Sequence, residues 1–110
     1  NQSSPVGIVT DQMEPCDCCQ PDLEVNQNGD IFIAYRNNMQ NIRDTYLSVK
    51  RFNESTFSEL YQVSNFQDYI PFCPSSGPTI DIKDNQIAVA YTIYDNEKVY
   101  IAKSDINEIS

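Results

Sequence analysis

The side chains here that could do chemistry are four cysteines, two closely spaced arginines and a scatter of carboxylates. Cys16, Cys18 and Cys19 lie within four positions and offer CxC, CxxC and CC spacings at once; Cys73 stands apart. Adjacent cysteines such as Cys18 and Cys19 point apart and rarely close on each other, which makes Cys73 the natural partner for one of the first three. One use is a disulfide between two parts of a secreted protein. Another is a thiolate metal site of Cys16, Cys18 or Cys19 with Cys73, with Met13 as a candidate helper, where soft sulfur without imidazole suits Cu(I) or Zn(II). Reduced, inert thiols are the third. A catalytic thiol is disfavoured because the sequence has no His to activate it.

Arg36, Arg43 and Asp44 flank a polar loop over residues 37–42. A guanidinium can fork onto a carboxylate, so these three are candidates for a carboxylate-binding or sugar-binding rim. The plainer expectation is an Arg–Asp pair that pins the loop. Tyr35 and Tyr91 read as core residues whose hydroxyls reach solvent, not as nucleophiles. Asp11, Glu14 and Asp17 surround the cysteines without the spacing of a calcium loop and read as a solvated acidic segment. Asn53-Glu-Ser55 is a glycosylation sequon, which counts only in a eukaryotic source. No residue is assigned a catalytic role.

The elements that would position these groups come in two copies. Pro21–Tyr35 (PDLEVNQNGDIFIAY) matches Pro78–Tyr91 (PTIDIKDNQIAVAY) at an offset of 57 residues, with one residue dropped in the turn. Cys16 and Cys73 both lie five residues ahead of the matching prolines. Period-2 patterning predicts strands near 6–9, 22–25, 31–36, 45–50, 60–63, 79–82, 87–92 and 98–103. Asn28-Gly29 signals a hairpin, with Asp84-Asn85 at the matching place. Thr56–Glu59 could open a helix through a capping box, but the apolar alternation continuing to Val63 favours a turn and a short outer strand. The runs 31–35 and 87–91 are apolar at nearly every position, so each strand should be covered on both faces. Repeated antiparallel sheets stacked around an axis meet that demand, and the fold class expected is all-β, a β-propeller. In that frame 1–15 is the last strand of a preceding blade with its connector, 16–64 a complete four-stranded blade, and 65–110 a connector and an incomplete following blade. Open edges and faces then demand the remaining blades of a larger protein, or a partner chain.

At 110 residues the chain is long enough for one ordinary domain. A formal charge of −9 repels phosphate backbones and anionic lipid, so no nucleic-acid partner is expected. No apolar run approaches the ~18 residues of a spanning helix.

Taken together, Cys16–Leu23 (CDCCQPDL), Asn28–Asn38 (NGDIFIAYRNN), Asn41–Leu47 (NIRDTYL), Cys73–Pro78 (CPSSGP) and Val99–Ser104 (VYIAKS) resemble the sialidase-like, or BNR-repeat, β-propeller family over about residues 16–109. The resemblance implies a six-bladed ring, secreted or held at the cell surface, and often of bacterial origin. It departs at the family's Asp-box turn: Lys50–Phe57 (KRFNESTF) keeps only the final aromatic, and Lys103–Asn107 is also degraded. The motif carrying the first arginine of the family's carboxylate-binding triad is absent, so no catalytic residue carries over. The expected role is a non-catalytic segment of a secreted or surface propeller serving ligand binding, including carbohydrate, or assembly. The alternatives are part of an exo-glycosidase completed by missing blades, and a copper- or zinc-binding thiolate protein.

Overall fold

The computed structural model describes residues 9–10 and 13–108, and the strand expected at 6–9 lies almost wholly outside them. Strands β1 (Asp22–Val25), β2 (Ile31–Arg36), β3 (Thr45–Lys50) and β4 (Glu59–Gln62) form one antiparallel sheet in sequential order. Strands β5 (Thr79–Lys83), β6 (Gln86–Ile93) and β7 (Lys98–Asp105) form a second, followed by a 3-10 turn at Ile106–Glu108. The protein is all-β, and among the described residues neither sheet closes on itself.

The two copies share one register. Asp22 faces Ala34 in the first hairpin and Thr79 faces Ala90 in the second. In the first turn Asn26 Oδ1 accepts from the amides of Asn28 and Asp30, and Gly29 takes φ +85°. A Cβ there would lie 2.6 Å from the Phe52 ring, so glycine serves both the backbone and the packing. The shorter second turn places Asp84 at φ 56°, which Asp tolerates better than most side chains. No helix opens at Thr56. Glu59 instead starts β4, where its carboxylate accepts from Arg51 Nε at 2.7 Å.

The core lies between the sheets. Phe32, Ala34, Leu47 and Val49 of the first pack against Ile80, Ile87 and Val89 of the second, with Ile106 closing one end. Arg51 crosses that end: its guanidinium pairs with Glu59, lies 3.8 Å from Asp30, stands over the Phe32 ring and donates to the Ile106 carbonyl. At the other side the Ile80 amide donates to Asp22 Oδ2 at 2.8 Å, tying β5 to β1.

Cover on both faces, expected from the apolar runs, is found on the inner faces only. On the outer side of the first sheet Leu23 and Val25 are half exposed, with Ile31, Ile33 and Leu60 partly so. On the second, Val99 is 74% and Ile101 63% exposed. Each described sheet has one neighbour, and a strand's side chains alternate between faces, so one apolar row of each stays open.

Candidate functional site

The segments around the cysteines meet at one end of the stacked sheets, next to the loop that follows β2. Backbone bonds set this up: Cys16 N donates to Arg36 O at 2.8 Å and Asn38 N to Glu14 O at 2.7 Å, so residues 14–16 run beside the end of β2. Asn37 N donates to Asp44 O, Arg43 N to Asp68 O and Ile70 N to Asn41 O, extending the ladder through the loop to the connector between sheets. Gly77 brings the second segment against the first. A Cβ there would fall 1.8 Å from the Gln20 carbonyl oxygen, an approach only glycine permits.

All four cysteines are paired. Cys18 joins Cys73 across the connector, and Cys16 joins Cys19 within its own turn. The bridge to Cys73 is the inter-unit tie anticipated from spacing. The second bridge was not anticipated, because a CxxC closing on itself is indistinguishable in sequence from ligand spacing. Cys16 and Cys19 are buried and Cys73 is exposed. A disulfide sulfur is not a thiolate, so the oxidised form described here has no anionic sulfur to offer a metal.

Arg43 is buried at 7% exposure with every nitrogen engaged: Nε donates to Ile70 O at 2.9 Å, one terminal nitrogen to Cys16 Sγ at 3.1 Å and the other to Asn41 Oδ1 at 3.3 Å. Arg36 is 3% exposed, donates to Thr92 O at 3.1 Å and has a buried Nε without an acceptor among the described residues. Burial lowers the pKa of Arg36, opposed by Asp68, assisted by Arg43 and opposed again by Asp44. Asp44 caps the next segment, accepting from Phe66 N, Gln67 N and Ser64 Oγ. These three residues face inward, and the expected Arg–Asp pair does not form: the ion pairs among the described residues belong to Arg51. Arg43 and Asp44 pin the loop separately, one to the connector carbonyl and cysteines, the other to the connector amides. Tyr35 also departs from expectation, since its hydroxyl meets Ser48 Oγ at 3.2 Å in the interior instead of reaching solvent.

Two features escaped the reading of the sequence. Asp68 is 1% exposed and accepts from the amides of Tyr94 and Asp95, joining the connector to the β6–β7 turn. The connector also carries Phe66, Tyr69 and Phe72 half exposed; Phe66 lies 4.8 Å from the Tyr100 ring and Phe72 5.0 Å from that of Tyr94. Three aromatics in seven residues between two strands was the available signal. A cleft of about 410 Å³ opens next to the connector, with Asn37, Gln40, Asp44, Tyr46, Gln62 and Gln67 in its wall; Phe66, Tyr69 and Phe72 do not line it. Burial, then Asp44 and Tyr35, raise the pKa of Tyr46, so its phenol stays a hydrogen-bond donor. Amides, a carboxylate and a phenol can bind a neutral polyhydroxylated ligand; no free cation among the described wall residues is placed to clamp an anion.

Among the described residues no helix is long and apolar enough to cross a membrane. Compared with known proteins, the chain matches no family model, no curated protein and no solved structure.

Proposed function

We propose that this chain is a section of a sialidase-like β-propeller from a secreted or cell-surface protein, acting in ligand binding or assembly without catalysing a reaction itself. The observation that carries this reading is the pair of sheets in one register, stacked face to face with an apolar row left open on each outer side. Such rows are what the sheets of further blades would cover. The four paired cysteines support an oxidising, extracellular setting. Binding is supported by the amide-lined cleft, whose side-chain amides, carboxylate and phenol suit the hydroxyls of a carbohydrate. Arg43 serves this reading from inside, by holding the loop that forms part of the cleft wall, while Arg36 ties the end of β2 to β6.

The test is to express the entire gene product that contains this chain, solve its structure and assay it with a fluorogenic sialoside. A closed ring of such sheets with no turnover is the expected result. Turnover would replace the binding role with a glycosidase, and sheets that do not form a ring would overturn the propeller.

A further inference from the structure

We propose that the four cysteines are a two-state site, two disulfides when oxidised and a tetrathiolate site for one zinc-class d10 cation when reduced. The Cys16, Cys18 and Cys19 sulfurs all lie within 4.8 Å of one another, and the fourth sulfur, that of Cys73, is bonded to Cys18 at the edge of this cluster. One of the unbonded pairs is informative. Cys16 Sγ and Cys18 Sγ are 3.7 Å apart, against an edge of about 3.8 Å in a tetrahedron with metal–sulfur bonds of about 2.3 Å. The Cα separations of 5.4 Å for Cys16–Cys19 and 6.0 Å for Cys18–Cys73 already bring those backbones close enough for two further edges.

Arg43 supplies the second argument. Four thiolates around a dication leave two negative charges, and a buried guanidinium already stands 3.1 Å from Cys16 Sγ. Held by Ile70 O and Asn41 Oδ1, it would donate to a ligand sulfur as an outer-shell group and offset one of those charges. A disulfide sulfur is a weak acceptor that has little use for a charged donor; a thiolate has a strong one.

The conversion balances. Each bridge takes two electrons and two protons and gives two thiols: a dithiol supplies both and becomes a disulfide, whereas a phosphine supplies the electrons, takes the oxygen of one water to become its oxide and leaves that water's two protons on the thiols. One dication then displaces four protons as four metal–sulfur bonds form. The inference is independent of the propeller reading, since it rests on the sulfurs and Arg43 alone.

Cobalt(II) is the probe. The chain is reduced with a water-soluble phosphine, oxygen is excluded, and Co(II) is titrated while visible absorption and far-ultraviolet circular dichroism are followed. The expected result is one Co(II) per chain, with the intense visible bands and sulfur-to-metal charge transfer of tetrahedral thiolate coordination, displaced by one equivalent of Zn(II). If reduction alone melts the sheets, their recovery on adding metal supports the site equally, as metal-coupled folding. Cys73→Ser should lose the four-sulfur spectrum, and Arg43→Gln should weaken binding about 10-fold. Weak octahedral absorption, no uptake with or without folded sheets, or a Cys73→Ser spectrum identical to that of the parent would each overturn the proposal.

Discussion

At the scale of single residues, the buried charges divide by what they hold. Arg43 donates to the buried Ile70 carbonyl and to the Asn41 amide oxygen, and removing its charge leaves that carbonyl without this donor, so Arg43→Met should cost about 3 kcal/mol in urea unfolding. An exposed ligand-binding arginine would cost almost nothing. Glu59 is the group that gives stability a dependence on pH. Its hydrogen bond from Arg51 holds its carboxyl below the usual value, burial opposes this, and a hydrogen bond from Tyr61 assists. A depressed carboxyl stabilises the fold above its unfolded pKa and ceases to do so as pH falls through the folded value. Stability should therefore decline below about pH 5, and Glu59→Gln should flatten that decline in denaturant midpoints measured from pH 6 to pH 3.

Among the elements, the strands were the legible part. β1, β2 and β3 run where alternation placed them, because Leu23, Val25, Phe32 and Val49 obey a local period of two whichever sheet covers them. β4 begins one residue earlier than read, since the ion pair from Arg51 draws Glu59 into the strand. The inward turn of Arg36 and the capping role of Asp68 were not legible, because each depends on contacts between segments more than 20 residues apart, which no local pattern encodes. The Cys16–Cys19 bridge was missed for a different reason, since its CxxC spacing reads equally as ligand spacing. The connector is where those contacts converge. The Cys18–Cys73 bridge spans 55 residues and the Cys16–Cys19 bridge 3. On loop-closure entropy, replacing the first pair with serine should cost about 4 kcal/mol and the second about 2 kcal/mol, compared by thermal melting of the two double variants. Gly77→Ala should cost about 3 kcal/mol in the oxidised protein, because the new methyl meets backbone and not a side chain that could swing away.

For the whole molecule, the account rests on sheets that expect neighbours. The first sheet leaves Leu23, Val25 and Leu60 open and the second leaves Val99 and Ile101, on opposite outer sides of one shared core. In a larger stack those rows become interior; in the chain by itself they are sites for association. Sedimentation velocity of the oxidised chain over about 5–200 μM tests this most directly. The account predicts concentration-dependent association that is abolished in the double variant Leu23→Asp, Ile101→Asp with its sheet spectrum unchanged. A monomer at every concentration, melting in one cooperative transition, would contradict it.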